Sequence, residues 1–278
     1  MQHLLNRGFH DLPRIAEEYA ASYQSNPPFP NIHFENFFNP ETLSEVLAEF
    51  PDLSSRPAQE FNNATQRKLA GRGEAFFGPK TRELMHFLNS EPFLSFLQQL
   101  TGIGETLVGD PYFIGGGQHE IKAGGHLKLH ADFNRHTLLA LDRRVNVLVY
   151  LNKEWKAEYG GDFELWNREL TRCVKAIPPT FNTMAIFSTS DFSYHGHPDP
   201  LTCPPDRSRK SLALYYYSSG RPAEEIIVGQ ETHSTLFKAR AGHAADEAAL
   251  LERNRGRLGL RWRDFVPPVV GKLVRHFR

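Results

Sequence analysis

Val145-Asn146-Val147-Leu148-Val149-Tyr150-Leu151 is the stretch on which the fold turns. Its β-branched valines suit a pleated surface. In an extended chain the alternate positions Asn146, Leu148 and Tyr150 share one face. Similar short runs lie on both sides of it, at 112–114, 118–122, 126–129, 163–166, 173–177, 184–188 and 212–218, separated by Gly, Pro, Asn and Asp. Many short strands at close spacing predict an all-β sandwich, jelly roll or barrel. Upstream the pattern is mainly helical, over 10–23, 43–50, 81–89 and 92–100, with one strand-like run at 32–38. Asn39-Pro40-Glu41 reads as a helix start, and Ser90 as the cap of the helix that stops near Gly102. After Gly220-Arg221-Pro222 the pattern returns to helix, clearest over 244–253.

The chain has 278 residues, 40% hydrophobic and 23% charged, with a formal net charge of +0. That composition fits an ordinary globular protein, and no global field draws it to nucleic acid. The charge is uneven, however. Arg253, Arg255, Arg257, Arg261, Arg263, Lys272, Arg275 and Arg278 face only Asp264 near the C-terminus. With Trp262, Phe265 and Val266 among them, residues 258–278 could touch an anionic membrane, but an amphipathic helix docked on the core is the preferred expectation. Cys173 and Cys203 form no paired framework, which suits a reducing compartment. The N-terminus has no signal-peptide run, and no stretch approaches the roughly 18 apolar residues of a transmembrane helix. A cytoplasmic location is expected.

Chemistry concentrates at His130-Ala131-Asp132 and, much later, at Tyr194-His195-Gly196-His197. Positions 130 and 132 of a strand point the same way, and a histidine from a distant strand completes a set of two imidazoles and one carboxylate. Such a set holds one face of Fe(II) and leaves positions open for substrate. His195 is preferred as the distant ligand, with His197 as its alternative.

Read together, these motifs carry a resemblance. Gly124-Gly125 before His130-Ala131-Asp132, then Tyr150-Leu151-Asn152-Lys153-Glu154-Trp155, Gly160-Gly161-Asp162, Ile186-Phe187 before His195, and Arg209 resemble the prolyl-4-hydroxylase-like branch of the Fe(II)/2-oxoglutarate-dependent dioxygenases. The resemblance covers roughly 107–220. It implies a mainly β fold with flanking α, a double-stranded β-helix (jelly roll) core with helices at both termini. The chain then divides into a helical support (1–106), the core (107–221) and a helical extension (222–278) of one catalytic domain. It implies His130, Asp132 and His195 as metal ligands, Fe(II) as the metal, 2-oxoglutarate and dioxygen as cosubstrates, and ascorbate as a candidate reductant. Arg209 and Tyr150 would take the distal carboxylate of 2-oxoglutarate, with Asn146 and Leu148 lining its pocket. A planar guanidinium suits a buried carboxylate. Arg207 is a rival for Arg209.

The expected reaction is hydroxylation of an aliphatic carbon of an amino-acid-like or carrier-linked biosynthetic small molecule, releasing succinate and carbon dioxide. A peptidyl-prolyl hydroxylase is the alternative. A catalytically silent jelly roll, a cupin-like enzyme without 2-oxoglutarate, and zinc in place of iron are further rivals. The polar loops 133–136 and 198–208 are expected to cover the substrate. The sequence leaves the oligomeric state open.

Overall fold

A computed structural model describes residues 2–55, 59–71, 73–229 and 231–257. Five α-helices and twelve strands are present among them. In chain order they are α1 (Leu12–Ser25), β1 (Asn31–Glu35), α2 (Pro40–Ala48), β2 (Gln59–Asn63), β3 (Gln66–Gly71), α3 (Pro79–Leu88), α4 (Glu91–Thr101), β4 (Gly117–Lys122) and β5 (Leu127–Ala131). There follow β6 (Asp142–Tyr150), β7 (Phe163–Trp166), β8 (Cys173–Ile177), β9 (Thr183–Ser188), β10 (His195–His197), β11 (Ser208–Ser218), β12 (Leu236–Phe237) and α5 (Ala244–Arg257). The strands pair antiparallel in the order β1-β9-β6-β11-β4-β3-β5-β10-β7-β8, with β2 on β3 and β12 on β5. This is the jelly roll, curved until both halves face one interior.

The helices start and stop where local chemistry dictates. The Asn39 side chain accepts from the Glu41 and Thr42 amides with Pro40 in the first turn, and Asp11 caps α1 through the Arg14 amide. Gly102, at φ 68°, ends α4 in the left-handed conformation. Ser90 stands at the N-cap of α4 as expected, but its side chain makes no capping bond, because the hydroxyl turns back to the Phe87 carbonyl at 2.6 Å.

The main core lies between the helices and the outer face of the central strands. Phe34, Phe37, Phe93, Phe96, Leu97 and Leu100 pack there with Val145, Val147, Val149, Met184, Ile186, Leu212, Leu214 and Tyr216. Such burial of apolar surface is the main force holding the helices to the sheet.

Several expectations are corrected. Residues 112–114 form a turn, not a strand, because the Asp110 carboxylate accepts from the Tyr112 and Ile114 amides. The helical N-terminal segment also contains β2 and β3, a polar hairpin whose alternation is too weak to read. It becomes a strand pair because β3 joins β4 and β5. The loop 133–136 is not an open polar loop: Asn134 and His136 are buried, and His136 Nε2 reaches the Asp110 carboxylate at 3.1 Å. The linker 198–208 is stapled down as well, with Leu201 hydrogen-bonded to both Gly124 and Gly125. The segment 258–278, and with it the membrane question, lies outside the described residues. No described helix is long and apolar enough to cross a membrane.

Candidate active site

His130 is the last residue but one of β5 and Asp132 follows the strand, both turned into the barrel. Antiparallel pairing sets His195 of β10 directly opposite His130, so the two rings meet with centroids 4.5 Å apart. His130 Nε2 lies 3.6 Å from one Asp132 oxygen and His195 Nε2 lies 3.4 Å from the other. One ligand atom from each of the three falls within 4.8 Å of the others.

The hydrogen bonds behind the rings decide what the rings offer. His130 Nδ1 faces the Lys128 carbonyl at 2.9 Å and His195 Nδ1 faces the Ser193 carbonyl at 2.8 Å. A carbonyl can only accept, so both Nδ1 atoms carry the proton. Each Nε2 is left with a lone pair aimed at the common centre, as a metal-binding imidazole needs. The donor set therefore fits a divalent metal with open positions. His197 falls outside the set. It sits opposite Leu127, two residues farther along the strand. Gly196 between the two histidines leaves no choice of residue, since a Cβ there would lie 2.7 Å from the Leu127 carbonyl oxygen.

Asp132 has partners that the sequence did not announce. Arg143 Nη2 stands 3.0 Å from its Oδ2, and the Asn146 amide donates to the same oxygen at 2.7 Å. Arg143 Nε donates to the Asn146 side-chain oxygen Oδ1 at 2.8 Å, which closes a triangle. The Arg143 guanidinium lies 3.4 Å from the centroid of Tyr215 and 4.4 Å from that of Phe133. Asn146 thus braces the carboxylate as well as lining the pocket. Burial alone would raise the Asp132 carboxyl, but the Arg143 guanidinium leads the opposing influences and holds the group well below the usual carboxylate range. Burial, then the neighbouring His195, pushes His130 down.

Deeper in the barrel, Arg209 Nη2 reaches the Tyr150 hydroxyl at 3.2 Å and Arg209 Nε donates to the Gly161 carbonyl at 2.7 Å. Gly161 has φ +80°, and a Cβ there would lie 2.4 Å from Leu201 and 3.0 Å from the Arg209 side chain. Gly161 is thereby explained by close approach to Leu201 and the arginine, whereas Gly160 has open space around it and is favoured only by its φ of +65°. Burial raises the Tyr150 phenol, keeping it a donor. Arg207 stands apart, donating to the Glu154 carbonyl at 3.3 Å. His130, Asp132, Asn146, Leu148, His195, His197 and Arg209 line one cavity of about 70 Å³ together with Lys68, His119, Arg143, Ser211 and Tyr215. Burial drives the His119 imidazole down to about 3, so it is neutral.

Sequence reasoning missed Arg143, His119, Lys68 and Tyr215. Arginine and lysine on a strand read as solvated, and only closure of the barrel turns them inward. Tyr215 carried a usable signal, because it shares a strand face with Arg209.

The 2OG-Fe(II) oxygenase superfamily pattern matches residues 117–217. No curated protein matches the chain in sequence. Among solved structures, a prolyl hydroxylase from Trichoplax adhaerens, in complex with a hypoxia inducible factor oxygen degradation domain peptide fragment, is similar with a TM-score of 0.56 at 18% identity. It covers 76% of this chain and 92% of its own. A Pseudomonas putida prolyl-4-hydroxylase gives 0.54 at 13% identity, covering 75% of this chain and 100% of its own. HygX from Streptomyces hygroscopicus, with nickel and 2-oxoglutarate bound, gives 0.50 at 12% identity, over 78% and 96%. Residues 117–217 thus match the 2OG-Fe(II) oxygenase superfamily pattern, and about three quarters of the chain shares the fold of the two prolyl hydroxylase structures, with His130, Asp132 and His195 gathered where a metal could be held.

Proposed function

We propose that His130, Asp132 and His195 hold the Fe(II), that Arg209 and Tyr150 take the distal carboxylate of 2-oxoglutarate, and that the enzyme hydroxylates an aliphatic carbon of an amino-acid-like or biosynthetic small molecule. One observation carries the metal assignment: two buried imidazoles commit their Nδ1–H groups to backbone carbonyls and turn Nε2 onto one carboxylate. When bound, iron with 2-oxoglutarate and dioxygen supplies the oxidant that turns C–H into C–OH, with succinate and carbon dioxide released. The chain's own residues orient and shield. Arg143 and Asn146 fix the Asp132 carboxylate. Leu148, Phe163 and Phe187 give the cosubstrate an apolar wall. Arg209, braced by Gly161, faces the carboxylate with a charge that burial strengthens.

Compactness supports a small substrate. The Phe237 ring packs 5.3 Å from the His130 ring, and β12 runs beside the end of β5. A peptidyl-prolyl substrate is the second reading. Lys68, which lines the cavity, also lines an outer groove of about 250 Å³ with Glu60, Phe61 and Arg67 of the β2–β3 hairpin. The Trichoplax relative was solved with a peptide fragment. Succinate release measured across free amino acids, biosynthetic intermediates and proline-containing peptides separates the two. Stimulation by small molecules alone supports the first reading, and stimulation by peptides alone replaces it with the second.

A further inference from the structure

His197 is 3% exposed, and neither ring nitrogen has a hydrogen-bond partner among the described residues. A buried imidazole in that condition has given up its hydrogen bonds to water for nothing in return, where an apolar side chain would fill the space at no such loss. The imidazole nonetheless lines the cavity. Its depth is set by strand register. β10 passes from His195, opposite His130, to His197, opposite Leu127. β6, in the other half of the barrel, lines the same cavity and runs from Asn146, bonded to Asp132, to Tyr150, bonded to Arg209. His197 thus lies off the three-ligand centre and toward the Arg209 end.

Arg209 is already committed in part, with Nε on the Gly161 carbonyl and Nη2 toward Tyr150. A carboxylate offers about four lone-pair sites; a guanidinium fork fills two of them with parallel bonds and the Tyr150 hydroxyl a third, which leaves room for another donor. We propose that His197 is a further hydrogen-bond donor to the distal carboxylate of 2-oxoglutarate, making it a determinant of which 2-oxo acid the enzyme accepts. This rests on the reading that Arg209 and Tyr150 hold that carboxylate.

The test is calorimetric titration of the full-length, Mn(II)-loaded protein with 2-oxoglutarate and with 2-oxobutyrate, which lacks the distal carboxylate. H197L is expected to weaken 2-oxoglutarate roughly tenfold, as for a lost hydrogen bond to a charged group. Mn(II) and 2-oxobutyrate affinities stay as in the wild type. H197Q keeps an N–H donor and recovers most of the loss; H197V replaces H197L where leucine does not fold. Unchanged 2-oxoglutarate affinity in H197L, equal weakening of both acids, or a loss of Mn(II) affinity would each overturn the inference. R209Q separates the two levels. If it weakens 2-oxoglutarate while H197L does not, only the role of His197 falls. If R209Q also binds normally, the reading beneath it falls too.

Discussion

β6 and β11 present two faces that differ as sharply as two proteins would. Outward, toward the helices, Val145, Val147, Val149, Leu212, Leu214 and Tyr216 are buried in an all-apolar layer. Its one polar atom of note, the Tyr216 hydroxyl, donates to the Leu88 carbonyl at 2.8 Å. Inward, the alternating positions are Asn146, Leu148, Tyr150, Arg209, Ser211 and Tyr215. The first face derives its stability from filled volume. The second depends on directed bonds, and it leaves Arg143 Nη1, like both nitrogens of His197 across the cavity on β10, without partners among the described residues. Packing tolerates no vacancy, whereas a site must keep some for its ligands.

Substitutions on the two faces should therefore fail in different measurements. The largest effect is expected from Asp132→Ala: succinate formation falls to background while the melting transition persists, because the carboxylate is the point on which both histidines converge. Retained turnover would sink the ligand assignment. Leu214→Ala, on the opposite face, should cost about 2–5 kcal/mol of stability in denaturant titrations. Its folded fraction should still bind metal normally, and a selective loss of metal would blur the division between the faces. Arg143→Met comes next. It leaves the ligands in place but removes their support, so metal affinity should drop roughly 10–100-fold with little change in unfolding midpoint.

The smallest effect lies at the rim, where His233 links the C-terminal segment to the barrel. Its Nε2 meets the buried Asp191 carboxylate at 2.8 Å and its Nδ1 the Ser234 carbonyl at 2.9 Å. Two acceptors require two protons, so the ring is a cation here. Burial opposes that charge, but the bonds to Asp191 and Ser234 win and raise the pKa above its ordinary 6.5. A raised folded-state pKa gives stability that is complete below the unfolded value and fades as pH rises through the folded one. His233→Gln should consequently lower the melting temperature more at pH 6 than at pH 9. An equal loss at both would show that the contact is not ionic.

Much of the fold was legible because strand chemistry is local. The runs at 163–166 and 173–177 coincide with β7 and β8. The hairpin β2–β3 was not legible, since Gln59–Asn63 and Gln66–Gly71 are mostly polar on both faces; β3 owes its conformation to pairing with β4, and β2 to pairing with β3. Within the site, an acid two residues from a histidine on a strand could be read directly, because the period of two is a property of the backbone. Arg143 could not. Its burial follows from Tyr215 and Phe133 closing on either side, contacts between residues far apart in the chain.

By itself the sequence determined the chemical inventory: two imidazoles and a carboxylate, an arginine with a tyrosine, and strands able to aim them, since residue type and alternation need no neighbours to be read. Tertiary structure alone decided which histidine meets His130, what braces Asp132 and how deep His197 sits. Those are matters of register and closure, and register between distant strands is set by the packing of the whole barrel.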